Sequence, residues 1–186
     1  MNQFDIKDLP LIGAKIIKKI KHEDERGYLS RLFCIDELSK EKVFEPIKQI
    51  NLTLTKKKST IRGLHYQSPP FAETKMLSCI KGEVFDVIVD LRKNSPTFLK
   101  YHSEILSEKN QKSLIIPEGF AHGFQCLEDN CNLIYFHTEN YKPGFEDGIR
   151  YDDQKLEIQW PLPTNIISNR DLKFPLILDN FNGIKI

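Results

Sequence analysis

The amino-acid sequence predicts an all-β protein, a sandwich or jelly roll with a few short helices. Short runs of alternating apolar and polar residues recur along the chain, Gly, Pro and Asn turns separate them, and stretches of helical periodicity are scarce. At 186 residues the chain has the length of one ordinary domain, 1–186, large enough to bury a substantial core. Hydrophobic residues at 40% and charged residues at 28% are a soluble globular balance. With 27 basic against 26 acidic residues the net charge is +1, which offers no electrostatic case for nucleic acid or a membrane surface. No apolar run approaches a membrane span and the N-terminus has no signal-peptide core, so a cytoplasmic location is expected.

Residues 1–22 read as an extended lead-in with an apolar patch (Leu9, Leu11, Ile12), followed by AKIIKKIKH, an edge strand whose lysines are solvated. Asp24 to Gly27 form a turn into the next strand; there Arg26 is either a plain turn residue or an anion contact, and the plain reading is favoured. Residues 36–44 (DELSKEKVF) are the best helix candidate. QINLTLT (49–55) alternates strictly, with Gln49, Asn51, Thr53 and Thr55 on one face and Ile50, Leu52 and Leu54 on the other. An uncharged hydrogen-bonding face of that kind suits either solvent or a cavity for a polar ligand. The same parity groups Ile61, Gly63, His65 and Gln67, then Lys75, Leu77 and Cys79, then the apolar Phe85, Val87, Val89 and Leu91, and later Leu133, Tyr135, His137 and Glu139. SPTF (95–98) is a turn, and the chain becomes polar and loop-rich after Tyr141. Cys34, Cys79, Cys126 and Cys131 have neither CxxC nor zinc-finger spacing; three lie in apolar strand-like runs and read as reduced core residues.

Arg62 to Gly82 (RGLHYQSPPFAETKMLSCIKG) and Pro117 to His122 organise the rest. A lone histidine is more often a packed or surface imidazole than a catalyst. Here Arg, His, Gln, Glu and Lys gather between Arg62 and Lys75, and so many polar groups in strand-like surroundings are costly unless they line a wet cavity or bind something. The two segments resemble the paired motifs of the cupin jelly-roll β-sandwich/barrel: HxH, a Glu seven residues before a Gly, and PxG followed by a third His. Pro117, Gly119 and His122 match the second motif and His65 opens the first, but Gln67 stands at the second His and Lys75 at the Glu. Two imidazoles and an ammonium are a poor divalent-metal site and a good one for an anion forming on a substrate oxygen, so no metal is expected there.

Within the cupins the chain is similar to the dTDP-4-dehydrorhamnose 3,5-epimerase family nearly end to end. The resemblance rests on DERG (24–27), QxN (49–51), RGLHYQ (62–67), PPxxExK (69–75), FDVxVDLRxxSPTF (85–98), IPEGFAHGF (116–124), Tyr135 with Tyr141, GIRYDD (148–153), IxWP (158–161) and ISNRD (167–171). It implies His65 as catalytic base, Asp171 as the carboxylate orienting it, Lys75 facing the keto oxygen and Tyr135 as general acid. It also implies that Gln49, Asn51, Arg62, His122, Tyr141 and Arg170 hold the nucleotide diphosphate sugar, with Arg26 reaching in from a neighbouring subunit of a homodimer that exchanges N-terminal strands, and that the chemistry runs without a metal or organic cofactor. Taken singly, Tyr135 would ordinarily be core and Asp171 a turn or cap. Where the family usually has serines this chain has Thr53 and Thr55, and where it usually has glycines it has Ser59 and Leu99.

The chemistry is consistent with those roles. Protons at C3 and C5 of a 4-keto sugar are acidified because their loss gives an enolate on the C4 oxygen. A neutral imidazole, of reference pKa about 6.5, is a suitable base, a carboxylate behind it fixes its tautomer, and an ammonium stabilises the enolate. The expected activity is 3,5-epimerisation of a nucleotide-linked 4-keto-6-deoxy sugar in surface-polysaccharide deoxysugar biosynthesis, with dTDP-4-dehydro-6-deoxyglucose the first-choice substrate. The alternatives are a GDP-linked 4-keto-6-deoxyheptose epimerase, a 4-keto sugar 3,4-isomerase and a non-catalytic sugar-binding cupin.

Overall fold

The computed structural model describes residues 3–41 and 46–186. In chain order the strands are β1 (Phe4–Asp8), β2 (Lys15–Lys19), β3 (Lys21–Asp24), β4 (Gly27–Ser30), β5 (Gln49–Thr55), β6 (Ile61–Gln67), β7 (Lys75–Lys81), β8 (Glu83–Asp90), β9 (Tyr101–Ser107), β10 (Lys112–Ile116), β11 (Phe120–Cys126), β12 (Cys131–His137) and β13 (Glu146–Gly148). They form a six-stranded sheet in the order β1-β2-β10-β7-β12-β5, a five-stranded sheet in the order β13-β6-β11-β8-β9, and a separate β3–β4 hairpin. This is the all-β sandwich that the alternation predicts. Among the described residues no helix is long and apolar enough to cross a membrane.

Strand parity sorts the apolar residues into three layers. Leu77, Cys79, Val84, Ile88, Leu114, Phe124 and Leu133 meet between the sheets. Phe4, Ile17, Met76, Ile115 and Phe136 face outward from the six-stranded sheet and are capped by Leu38. The apolar face of β8 also points outward, where Val87, Val89 and Leu91 are covered by Ile149, Leu156 and Ile177 of the irregular C-terminal segment. Burial of a side chain of this size stabilises the fold by roughly 1.5–3 kcal/mol, so that segment is a third layer of the domain. Cys79, Cys126 and Cys131 are buried and all four cysteines are free.

Two expectations need correction. Residues 15–19 do not form an edge strand: β1 folds back onto β2 and takes the edge, while β10 pairs with the other side. Lys19 is therefore not solvated. It is 5% exposed, its Nζ donates to Ser78 and Ser113, and burial lowers its pKa to about 8. The expected helix at 36–44 is a single α-turn, Ile35–Leu38, continued by a 3-10 turn, Ser39–Glu41; residues 42–44 of that expectation lie outside the described residues. Ser59 and Leu99 hold φ of +64° and +60°, a left-handed conformation that costs a non-glycine residue roughly 1–2 kcal/mol.

Candidate active site

A cavity of about 290 Å³ opens between the two sheets at one end of the sandwich. The six-stranded sheet contributes Gln49, Asn51 and Thr53 from β5, Lys75 from β7, and Tyr135 and His137 from β12; the five-stranded sheet contributes Arg62, His65 and Gln67 from β6, His122 and Phe124 from β11, and Glu146 from β13. Glu73, Tyr141 and Arg170 complete the wall from loops. Strict alternation explains β5, β7 and β12. It does not explain β6, where Arg62 would point away from His65. There the ladder slips: β11 advances from His122 to Phe124 while β6 covers His65 to Arg62, so β6 carries one extra residue. Such a bulge re-aims side chains and brings Arg62 to the same wall as His65. Gly123 leaves room for it, since a Cβ there would lie 2.7 Å from the Arg62 carbonyl oxygen.

His65 is backed by a carboxylate from the C-terminal layer. Its Nε2 lies 2.9 Å from Asp171 Oδ1, and the amide of Gly63 donates to Asp171 Oδ2 at 3.1 Å. Burial alone would push the Asp171 carboxyl up, but His65, the Gly63 amide and the Ser168 hydroxyl outweigh it and hold it down to about 2. An ionised Asp171 can only accept, so Nε2 carries the proton and Nδ1 is the basic nitrogen. Arg170 Nη2 lies 3.0 Å from the same Nε2; both groups are then donors, and the guanidinium is anchored instead by Glu146 at 2.8 Å.

The depressed Asp171 carboxyl makes a stability prediction. A group whose pKa is lowered on folding contributes stability above its unfolded value of about 3.9, and that contribution fades as the pH falls through about 2. Wild type should therefore exceed Asp171→Asn by on the order of 2 kcal/mol above pH 4, with the gap narrowing toward pH 2. Urea unfolding of both proteins across that range reads it; a gap independent of pH would mean the pair does not stabilise the fold.

Tyr135 stands on the sheet opposite His65. Burial foremost, and then the nearby Asp86 carboxylate, push its phenol well above the usual value, with the Thr53 hydroxyl opposing. His122 Nε2 is held by both oxygens of Asp86, at 3.1 and 2.9 Å, and its ring meets Tyr135 edge-on. Lys75 pairs with Glu73 at 3.1 Å. Gln67, at the position of the cupin pattern's second His, is occupied structurally: its amide donates to the carbonyl oxygens of Phe71 and Asn140 and accepts from the Lys142 amide.

Of the residues singled out from the sequence, Gln49, Asn51, Arg62, His65, Lys75, His122, Tyr135, Tyr141 and Arg170 line one cavity, and Asp171 stands directly behind His65. Arg26 does not join them. It lies on the exposed β3–β4 hairpin, paired with Asp24. Glu146 escaped notice in the sequence, whereas Asp86, which breaks the apolar run of β8 on the face opposite Val87, and Glu73 were visible only within motifs.

A sequence profile of the dTDP-4-dehydrorhamnose 3,5-epimerase family matches residues 8–179. The chain is 39% identical over 157 residues to the dTDP-4-dehydrorhamnose 3,5-epimerase of Shigella flexneri, covering 84% of this chain and 86% of that one. The crystal structure of the Bacillus anthracis dTDP-4-dehydrorhamnose 3,5-epimerase with TDP and PPi bound superimposes with a TM-score of 0.91 at 34% identity, covering 94% of this chain and 99% of that one. The Legionella pneumophila dTDP-6-deoxy-D-glucose-3,5-epimerase in complex with dTDP-4-keto-L-rhamnose also gives a TM-score of 0.91 at 34% identity, covering 98% of each chain.

Proposed function

The chain belongs to the dTDP-4-dehydrorhamnose 3,5-epimerase family, and from that premise we propose that it inverts both C3 and C5 of dTDP-4-dehydro-6-deoxyglucose. It is a carbohydrate epimerase acting on a nucleotide sugar. The observation that carries the residue-level reading is the opposition of a carboxylate-backed imidazole, His65, on one sheet to a half-buried phenol, Tyr135, on the other.

His65 Nδ1 takes the proton from C3 or C5. The C–H electron pair becomes the C=C bond of an enolate, and negative charge moves to the C4 oxygen. Lys75 stabilises that oxygen with an N–H not engaged by Glu73, since an ammonium has three donors. Tyr135 then delivers its proton to the opposite face of the same carbon, leaving imidazolium and phenolate, and exchange with solvent resets both. The phenol's raised pKa keeps it protonated until the enolate forms. Arg62, Arg170 and the amides of Gln49 and Asn51 surround the space left for the diphosphate and nucleotide. The nucleotide assignment is supported by the dTDP-sugar and TDP complexes of the relatives.

The test is incubation in D2O with dTDP- and GDP-linked 4-keto sugars, following the C3 and C5 proton signals by NMR. Loss of both signals with inverted dTDP-linked product is the expected result. A product with its carbonyl at C3 would mean an isomerase, and no exchange with any substrate would leave only a binding protein.

The working unit under this reading is a homodimer that exchanges N-terminal strands, in which Arg26 of each copy enters the other's cavity. Support comes from the hairpin that carries Arg26, where Tyr28 and Leu29 are 54% and 73% exposed, and from Ile50, Leu52 and Leu54, which the terminal strand β5 turns to solvent. Light scattering at micromolar concentration should give twice the chain mass; a monomer that turns over at the full rate would exclude a shared site.

A further inference from the structure

Glu73 and His137 line the cavity but have no part in the proton transfers described above. They terminate a hydrogen-bond chain that crosses the sugar-nucleotide side of the site. The backbone amide of Tyr141 donates to Gln49 Oε1 at 3.0 Å. Gln49 Nε2 donates to Asn51 Oδ1 at 3.2 Å, Asn51 Nδ2 donates to His137 Nε2 at 3.4 Å, and His137 Nδ1 donates to Glu73 Oε2 at 2.7 Å. The other Glu73 oxygen receives Lys75.

Both ends of this chain are fixed in direction. A backbone N–H can only donate. Glu73 can only accept when ionised, and it is held ionised: burial pushes its carboxyl up, but Lys75 first and then His137 outweigh that and keep it below the usual range. Every amide between the two ends must therefore point one way, and His137 must be neutral with its lone pair on Nε2. We propose that neutral His137 is a positioning residue for substrate binding, which sets the donor and acceptor faces that Gln49 and Asn51 present to the nucleotide sugar. Protonated His137 would bring Nε2–H against the Asn51 amide. Turning Asn51 sets its donor against that of Gln49, and turning Gln49 sets donor against the Tyr141 amide, which cannot turn. One contact would have to break, so only the neutral ring fits this wall.

The groups packed against His137 are few. Glu73 and Lys75 face it from β7 and the loop before it, and Tyr135 stacks on it from its own strand at 5.9 Å. The facing strand β5 supplies only uncharged side chains, Gln49, Asn51 and Thr53.

The inference rests on the functional reading above, so two measurements are made together. The first is deuterium exchange by wild type with dTDP-4-dehydro-6-deoxyglucose. The second is the affinity for dTDP-glucose, which has no keto group to enolise and whose diphosphate diester does not titrate between pH 5.5 and 8. His137→Phe keeps the ring against Tyr135 and should raise Kd and KM about five- to tenfold at pH 7.5, with kcat within about threefold of wild type. His137→Gln can donate to Glu73 and accept from Asn51, so it should recover most of that loss. No exchange by wild type would defeat the functional reading and this inference with it. Exchange by wild type combined with no recovery of affinity in His137→Gln, or a His137→Phe defect confined to kcat, would defeat this inference alone.

Discussion

His65→Asn is expected to stop deuterium wash-in at C3 and C5 together, lowering exchange by about a hundred- to ten-thousandfold, the range for losing a general base. The asparagine amide still donates to Asp171, so the C-terminal layer stays docked and affinity for the nucleotide sugar stays near wild type. Asp171→Asn should cost less, because it disturbs the tautomer and orientation of the imidazole without removing it. Circular dichroism checks the fold, and NMR in D2O reads each carbon separately. If His65→Asn exchanged at near the wild-type rate, the base would be sought at His122 or His137. His122 already gives Nε2 to a buried carboxylate, and His137 holds Glu73 and Asn51 with its two nitrogens. Loss at one carbon alone would mean that two bases divide the work.

Tyr135→Phe separates removal of a proton from its return. The ring and its stacking on His137 remain, and only the hydroxyl and its contact with Thr53 are lost. Wash-in through His65 should persist, because removal and return on one face need no phenol. Inverted product should fall by about a hundredfold or more. Exchange and inversion must be measured on the same sample, since it is their ratio that carries the meaning. An equal fall in both would make Tyr135 a packing residue, and undiminished inversion would send the search for the acid elsewhere.

Much of this site was legible because strands have a period of two. Once β7 and β12 were read as strands, Lys75 and Tyr135 had to share the interior side with Leu77 and Leu133 of the same parity, whereas for β5 parity left the side of Asn51 open and the structure turns Ile50, Leu52 and Leu54 outward. Arg62 was harder: regular alternation sets it opposite His65, and only the extra residue in β6 aligns them, which no local periodicity announces. Asp171 opens a single 3-10 turn, Asp171–Lys173, 106 positions from His65; its partner was suggested by the resemblance and not by any pattern of its own. Lys19 was misread because a lysine pair looks solvated until three strands converge to bury it. The direction of the chain from Tyr141 to Glu73 emerges only when each donor has found its acceptor.

The C-terminal layer also bears on the order in which the protein becomes an enzyme. Both sheets, and with them His65, Lys75 and Tyr135, are encoded by residue 148. The carboxylate behind His65 comes from the later segment that seals the outer face of the five-stranded sheet. One docking event therefore both hides Val87, Val89 and Leu91 and sets Asp171 against the imidazole.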